Sequence, residues 1–508
     1  MPLNEGRKEV DESSTDNGYS SRKWGGLVGG PVVFVAMLLV PAPESLGAAG
    51  WYTAAVGLLM AIWWMTEALP IPVTALLPVA LFPLLDIRSV GDTTAPYANP
   101  LIFLFLGGFL IAIAMQRWNL HRRIALRIIR IMGAEPRALM AGIMIAAAFL
   151  SMWISNTATA MMLLPIGLSL VELARSKGEA PPERIQAFAV GLMLAIAYAC
   201  NIGGVGTLIG TPPNALLAGF LDESYGVEVG FAQWMAMGIP VVAVGLPLTF
   251  LLLTRWLFPV GDLELVGGDE LVRRELHRLG RIRGPELMVG GVFVGVALLW
   301  ISRPLLEPVV PGLSDAGIAM IGGLLLFILP VDLRSLSFVL DWKSAKELPW
   351  DVLILFGGGL SLAAAIEATG LASWIGEGLA IVGGLPILLV VLVVSASIVA
   401  LTEVTSNTAT AAAFLPIMAS VAVGIGENPF LLIIPVALAT SSAFMLPVAT
   451  PPNAIVYGSD MLTIPRMARA GVWVNLLFVL LITVAAYGLV PLVFGVEIGT
   501  VPAWADGG

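Results

Sequence analysis

The chain has 508 residues, of which 58% are hydrophobic and 12% are charged, and its mean hydropathy is +0.92. This composition excludes an ordinary soluble protein and predicts an all-α protein that crosses a membrane many times. The formal net charge of -9 identifies no partner by itself, and no nucleic-acid partner is expected. With one cysteine and two histidines, neither an internal disulfide nor a Cys or His metal cluster is expected.

Apolar segments of spanning or nearly spanning length occur eleven times along the chain. The polar start, residues 1–24, lacks the apolar run of a signal peptide and is expected to be a cytoplasmic tail. Two further apolar stretches, 138–171 and 386–424, are expected to be re-entrant hairpins, which enter and leave the membrane on one side. The eleven predicted crossings lie at about 25–42, 49–66, 71–86, 101–116, 186–205, 231–254, 287–302, 316–330, 351–366, 428–447 and 471–495.

A twelve-residue sequence occurs twice, once in the middle of each predicted hairpin. Residues 155–166 (SNTATAMMLLPI) return as residues 406–417 (SNTATAAAFLPI), identical at nine of twelve positions. A second shared element, Thr-Pro-Pro-Asn-Ala, follows each copy, at 211–215 and at 450–454. The chain is therefore predicted to contain an internal repeat. Within it, each Ser-Asn-Thr is expected to cap the start of a helix.

The Thr-Pro-Pro-Asn segments predict breaks in two further helices at membrane depth. Proline clashes with the preceding helical turn but is favoured at the first position of a new helix. The N-terminus of such a helix offers free backbone N–H groups and a partial positive charge, which suit an anion. Broken helices also free carbonyl groups, which suit a small cation such as sodium. The two pairs of motifs together predict a site that binds both kinds of ion.

The distribution of positive charge gives the orientation of the chain. If the N-terminus is cytoplasmic, all but two of the 26 Lys and Arg residues fall on the cytoplasmic side, the exceptions being Arg88 and Arg303. The same count places the first hairpin on the cytoplasmic side and the second outside, which gives the halves inverted topology, with an external C-terminus. Residues 118–132 form a basic amphipathic stretch that is expected to lie along the cytoplasmic interface.

Two acidic residues lie next to apolar segments. Glu403 precedes the second Ser-Asn-Thr and is a carboxylate at membrane depth, so it is either a functional group or an ion-paired or tip-exposed structural group. Glu67 ends a predicted helix near the cytoplasmic interface, where a structural role is favoured.

The two Ser-Asn-Thr motifs, the two Thr-Pro-Pro-Asn segments, the WWMTEALPIP sequence at 63–72 and Pro-Trp-Asp at 349–351 resemble those of one family. This is the divalent anion/sodium symporter family, the INDY-like dicarboxylate and citrate transporters. The resemblance covers about residues 25–495. It implies a homodimer in the plasma (inner) membrane whose protomers have eleven transmembrane helices and move by an elevator mechanism.

The resemblance also implies a division of the chain into a scaffold domain, which forms the dimer interface, and a transport domain. The segments follow in order: tail 1–24, scaffold 25–137, transport 138–254, cytoplasmic linker 255–286, scaffold 287–385, transport 386–495 and external tail 496–508. The substrates implied are C4-dicarboxylates such as succinate, malate and fumarate.

Site residues follow from the resemblance position by position. The expected substrate residues are Ser155, Asn156, Thr157, Thr211, Pro212, Ser406, Asn407, Thr408, Thr450 and Pro451. The first expected sodium site consists of Ser151, Ser155, Asn156 and the carbonyl of Gly210, and the second of Thr402, Thr405, Asn407 and the carbonyl of Ala449. Two sodium ions would neutralise a dicarboxylate, and a third would make transport electrogenic.

The leading hypothesis is thus a sodium-coupled importer of C4-dicarboxylates. A sodium-independent dicarboxylate exchanger of the same fold, and a carrier of sulfate or another divalent anion, are the alternatives. An enzyme is not expected, because the motifs contain no nucleophile and base pair and no metal-binding cluster. A channel would not need two hairpin tips that face opposite ways.

Overall fold

The computed structural model describes residues 21–133, 135–177, 181–260, 267–378 and 384–505. Parts of the predicted tails, of the linker and of the segment after residue 378 lie outside these ranges. The first half of the chain forms the helices α1 Ser21–Leu39, α2 Gly47–Thr66, α3 Ile71–Thr74, α4 Leu77–Leu84, α5 Val90–Thr94, α6 Pro100–Arg117, α7 Leu120–Met132, α8 Pro136–Ser151, α9 Asn156–Lys177, α10 Pro182–Gly204, α11 Pro212–Tyr225 and α12 Phe231–Leu251.

A linker helix, α13 Gly268–Arg278, precedes the second half. This half has one two-stranded antiparallel hairpin, β1 Pro330–Asp332 with β2 Ser337–Phe338, in which Pro330 lies opposite Phe338. Its helices are α14 Gly284–Leu306, α15 Asp315–Ile328, α16 Trp342–Ala345, α17 Trp350–Ala368, α18 Leu371–Gly378, α19 Ile387–Thr402, α20 Asn407–Gly424, α21 Phe430–Thr440, α22 Pro451–Tyr457 and α23 Ile464–Phe494.

The predicted helical membrane architecture is confirmed at this level. Ten helices within the described ranges are long and apolar enough to cross a membrane. The predicted crossing at 71–86 is divided into α3 and α4, because Pro78 lies in the first turn of α4, where its missing N–H is tolerated. The predicted crossing at 428–447 is helical only over Phe430–Thr440.

The first helix begins earlier than predicted. Residues 21–24 were expected to belong to the tail, but α1 begins at Ser21. This first turn packs against the end of α2, where the Arg22 guanidinium donates to the carbonyl of Met65. The indole N–H of Trp63 donates to the carbonyl of Gly26 at 3.1 Å. The Arg22 contact lies within the four residues by which the helix extends beyond its predicted apolar part.

The amphipathic stretch at 118–132 forms α7, but one of its arginines is not on the polar face. Arg123 is 7% exposed, and its guanidinium pairs with the buried carboxylate of Glu286 at the start of α14. It also donates to the carbonyls of Leu279 and Gly280 at 3.3 and 3.0 Å. The arginine therefore holds the end of the linker against α7.

The two halves of the chain interlock through the helices that carry the repeated motifs. Helix α9, which begins at the first Ser-Asn-Thr, packs against α22, which begins at the second Thr-Pro-Pro-Asn. Helix α20, which begins at the second Ser-Asn-Thr, packs against α11, which begins at the first Thr-Pro-Pro-Asn. The motif helices of each half therefore pack against motif helices of the other half.

Candidate functional site

Both Ser-Asn-Thr motifs form the turn between two helices. In the first, α8 ends at Ser151, α9 begins at Asn156, and the hydroxyl of Ser155 accepts a hydrogen bond from the N–H of Ala158 at 3.3 Å. In the second, α19 ends at Thr402 and α20 begins at Asn407. A helix leaves its first N–H groups unpaired, and a serine at the cap position satisfies one of them. The predicted helix starts are confirmed.

The second turn has the same cap and one additional hydroxyl pair. The hydroxyl of Ser406 accepts from the N–H of Ala409 at 3.4 Å. The Thr405 hydroxyl lies 2.7 Å from the hydroxyl of Thr410 and donates to the carbonyl of Leu401 at 2.9 Å. The side chain of Thr405 thus contributes to the turn.

Both Thr-Pro-Pro-Asn segments start a helix after an unwound stretch. Helix α10 ends at Gly204 and α11 begins at Pro212, while α21 ends at Thr440 and α22 begins at Pro451. The threonine before each proline is extended, with ψ angles of 142° and 151°. A residue before proline avoids the α-helical region, which explains the restart at this point. The predicted interruptions are confirmed.

The asparagine of each Thr-Pro-Pro-Asn binds its own unwound segment. The Asn214 amide donates to the carbonyls of Gly204 and Thr207 at 3.1 and 2.8 Å. The Asn453 amide donates to the carbonyls of Ala443 and Leu446 at 3.2 and 3.0 Å. These two residues are the repeat equivalents of Gly204 and Thr207, each 239 positions later in the chain. Sequence reasoning assigned no role to these two asparagines. Their duplication within the motif was the signal that could have identified them.

The oxygens expected to bind the first cation lie around two close glycines. A methyl group placed on Gly204 would lie 2.9 Å from the side-chain oxygen of Asn156 and 3.1 Å from the carbonyl oxygen of Gly210. One placed on Gly210 would lie 3.0 Å from the carbonyl oxygen of Ser151. Only glycine leaves this space open, and the surrounding oxygens are the ligand type that a hard cation prefers.

Two side-chain oxygens of the predicted first cation site, those of Ser151 and Asn156, are buried. The side-chain oxygen of Asn156 is buried without a hydrogen bond, and the Ser151 hydroxyl, which lies beside the Cys200 thiol, has no oxygen or nitrogen partner among the described residues. Buried polar atoms are normally hydrogen-bonded, and an exception requires an explanation such as an ion. The donor set therefore fits a cation.

The second cation site differs in its hydrogen bonding. The Thr402 hydroxyl lies within hydrogen-bonding distance of both the Asn407 side-chain oxygen, at 2.7 Å, and the carbonyl oxygen of Thr440, at 3.0 Å. Each oxygen retains a lone pair that could bind a cation. The carbonyl of Ala449 belongs to a short 3-10 turn just before Thr450, and this residue is buried. The set fits a cation, but its side chains are already paired.

Helix α10 joins the two halves of the site. The Tyr198 hydroxyl donates to the carbonyl of Phe444 at 2.8 Å, and the Asn201 amide donates to the hydroxyl of Thr450 at 3.0 Å. The end of the same helix lies beside Asn156. The first Ser-Asn-Thr and the second unwound segment are therefore connected through one helix end.

Most of the predicted substrate residues are partly exposed. Ser155 and Pro451 are exposed, Thr211 and Thr450 are buried, and the remaining ones are partly exposed: Asn156, Thr157, Pro212, Ser406, Asn407 and Thr408. Each Ser-Asn-Thr therefore offers an amide and two hydroxyls on residues that are at least partly exposed. Amide and hydroxyl donors at two helix N-termini can bind carboxylate groups without any arginine or lysine.

Two hairpin-like helix pairs and two broken helices, repeated and interlocked across the halves of the chain, define a secondary membrane transporter. Residues 21–494 match the family model described as the sodium:sulfate symporter transmembrane region. The chain therefore belongs to this family, the divalent anion/sodium symporters.

Curated relatives are similar over nearly the whole chain. The sodium-dependent dicarboxylate transporter SdcS of Staphylococcus saprophyticus is 45% identical over 479 residues, which cover 93% of this chain and 92% of that protein. SdcS of Staphylococcus aureus strain USA300 is 45% identical over 486 residues, which cover 94% of each chain.

Two solved structures share the fold at low sequence identity. The YdaH transporter of Alcanivorax borkumensis has a TM-score of 0.58 at 17% identity, over 87% of this chain and 98% of that one. MtrF of Neisseria gonorrhoeae has a TM-score of 0.50 at 13% identity, over 91% and 94%. The likeness supports the helical transporter fold alone.

Proposed function

We propose that this protein imports C4-dicarboxylates together with sodium across the plasma membrane. The proposal is carried by two buried side-chain oxygens, Ser151 Oγ and Asn156 Oδ1, which have no oxygen or nitrogen partner among the described residues, and by the start of α9 at Asn156. The oxygens suit a cation and the helix N-terminus suits an anion, so adjacent groups can bind ions of opposite charge. The 45% identity to sodium-dependent dicarboxylate transporters supports the same function.

In this proposal, the asparagine of each Ser-Asn-Thr motif binds sodium through its side-chain oxygen and binds the substrate through its side-chain NH2 group. Two sodium ions would balance the two charges of succinate, malate or fumarate. A dianion brought into a low-dielectric site with dipoles alone would be poorly compensated. Sodium should therefore bind first and raise substrate affinity, and linkage requires the substrate to raise sodium affinity by the same factor.

Uptake of labelled succinate into proteoliposomes tests the function. We expect uptake to require an inward sodium gradient and to proceed without internal dicarboxylate. Equal uptake in sodium and in choline, driven only by internal dicarboxylate, would instead identify an exchanger. The description of the matching family model names sulfate. Unlabelled sulfate and unlabelled succinate should therefore be compared as competitors of labelled succinate. Stronger inhibition by sulfate would identify a sulfate carrier.

We further propose a homodimer in which residues 138–254 and 386–495 move as the transport part against the scaffold. Such movement must break contacts between Glu228, in the first transport segment, and Arg303, in the second scaffold segment, whose side chains form an ion pair at 2.5 Å. Cysteines introduced at these two positions and joined by a cleavable bifunctional thiol reagent, long enough to replace the two side chains, should block uptake, and a reductant that cleaves the link should restore it. Undiminished uptake by the cross-linked protein would contradict the proposed movement.

A further inference from the structure

Glu403, in the turn before the second Ser-Asn-Thr, is 4% exposed, and its carboxylate is surrounded by N–H donors. It accepts from the backbone N–H groups of Phe444 at 2.7 Å, Met445 at 2.9 and 3.0 Å and Leu446 at 3.1 Å. The side-chain amide of Asn475 on α23 donates to it at 2.7 Å. The sequence left open a functional role or a structural role through ion pairing or tip exposure. Glu403 is buried and has no ion pair among the described residues, so neither form of the structural role is observed.

The three backbone donors belong to the unwound segment between α21 and α22. An N–H group in a continuous helix would donate to the carbonyl four residues earlier, but this segment has left the helix. Buried N–H groups without acceptors are costly, and one carboxylate accepts from all three here. The side chain of Glu403 therefore takes the place of the missing helical acceptors.

The first half of the chain achieves the corresponding contact without a carboxylate. Met152 lies 251 residues before Glu403, and its carbonyl accepts from the hydroxyl of Thr207. Its methyl carbon would lie 2.9 Å from a methyl group placed on Gly206. The indole N–H of Trp234 donates to the carbonyl of Val205 at 3.0 Å. The carboxylate connection between hairpin turn and unwound segment is thus specific to the second half.

We propose that Glu403 is a positioning residue for transport, which holds the unwound segment of the second broken helix against the second hairpin turn. This inference rests on the proposed function. The turn supplies Thr402 and Asn407 to the second cation site, and the chain beyond the unwound segment supplies the carbonyl of Ala449. Since the carboxylate connects these two parts, it fixes the distance across the site without binding sodium or substrate itself.

The contacts of Glu403 predict that an amide replaces its carboxylate poorly. All four groups that face it are donors, so the NH2 group of a glutamine would meet N–H groups. In the double variant Glu403→Gln with Asn475→Asp, that NH2 group can donate to the new carboxylate, and the remaining amide oxygen can accept from backbone N–H groups. The double variant should therefore recover part of what Glu403→Gln loses.

The test combines sodium-dependent uptake with backbone hydrogen exchange in the purified, membrane-reconstituted protein. In Glu403→Gln, we expect the sodium concentration for half-maximal uptake to rise roughly tenfold and amides within 441–449 to exchange roughly tenfold faster. Exchange within 203–211, the corresponding segment of the first half, should stay unchanged. Glu427→Gln is the matched control, because Glu427 accepts one N–H bond, from Gly499 at 2.7 Å, outside the site.

Three results would overturn the proposal. Lost uptake with unchanged exchange in 441–449 would mean that the carboxylate acts on an ion directly. Equally faster exchange in 203–211 would indicate a general role in folding, and unchanged uptake and exchange would show that the contact is dispensable. If Glu403→Gln does not fold, Asn475→Ala, which removes one of the donors, should give the same local changes at smaller size.

A failure of the proposed function is recognised separately. Wild-type uptake that does not depend on sodium would refute sodium coupling. The exchange measurement would still decide whether Glu403 positions the segment. The uptake readout would then be the succinate concentration for half-maximal uptake.

Discussion

The Thr402 hydroxyl lies 2.7 Å from the side-chain oxygen of Asn407 in a hydrogen bond, whereas the equivalent pair in the first half, Ser151 and Asn156, makes no such bond. Each residue of the first pair lies 251 positions before its equivalent in the second, so the two pairs occupy corresponding positions of the repeat. Their different hydrogen bonding indicates two cation sites that are not equivalent. In the described part of the chain, Ser151 Oγ and Asn156 Oδ1 of the first site have no oxygen or nitrogen partner, while the second site must share its oxygens with an existing hydrogen bond.

The first prediction concerns the two hydroxyls. Ser151→Ala and Thr402→Ala should each raise the sodium concentration for half-maximal uptake by about tenfold, because each removes a proposed ligand. Substrate affinity should change only through sodium. Titration of succinate uptake with sodium, at low and at saturating succinate, measures both effects. Ser420→Ala and Thr483→Ala are matched controls, because these buried hydroxyls donate only to a carbonyl of their own helix, that of Pro416 or Val479. A sodium dependence like that of the controls would refute the ligand assignment.

The second prediction concerns the two asparagines at the helix starts. Asn156→Ala or Asn407→Ala should abolish uptake, because each side chain is proposed to face sodium with its oxygen and substrate with its amide group. Stranding both partners would cost about 1 to 3 kcal/mol each. Size-exclusion chromatography should show that the variants remain folded. Near-normal uptake by either one would contradict the proposed site.

The third prediction concerns the asparagines that hold the unwound segments. Asn214→Ala or Asn453→Ala leaves two carbonyls of an unwound segment without their amide donor, a loss of about 1 kcal/mol or more per bond. We expect lower uptake together with faster hydrogen exchange in the segment of the mutated half alone. Equal changes in both segments would show that these asparagines act on the fold as a whole.

The fourth prediction concerns stability. Arg123 and Glu286 form a buried ion pair whose side chains are 8% and 6% exposed. Removing one member leaves the other charge buried, so Arg123→Ala should destabilise the protein by about 3 to 5 kcal/mol. Thermal unfolding in detergent measures this loss. Arg273→Ala is the control, because its pair with Asp269 is 53% and 44% exposed and should contribute about 0.5 kcal/mol or less. Similar melting temperatures for both variants would contradict the predicted difference.

The sequence determined the helical class, the repeat and the positions at which helices start and break. The Ser-Asn-Thr and Thr-Pro-Pro-Asn motifs predicted these positions because capping and the effects of proline are local, depending on neighbours within a few residues. The family could be recognised for the same reason, since its motifs are short and contiguous.

Tertiary structure alone decided which groups meet across the repeat. No local pattern joins Glu403 to Asn475, or Asn201 to Thr450, because 72 and 249 residues separate these partners. Arg123 looked like part of a polar helix face, and only the return of the chain at Glu286 gave it a buried partner. The surroundings of the Ser151 and Asn156 side-chain oxygens likewise depend on the path of the backbone between α10 and α11, which is distant in sequence from Ser151. Capping is decided within one turn of helix, whereas a buried polar group acquires its partner only when distant segments pack together.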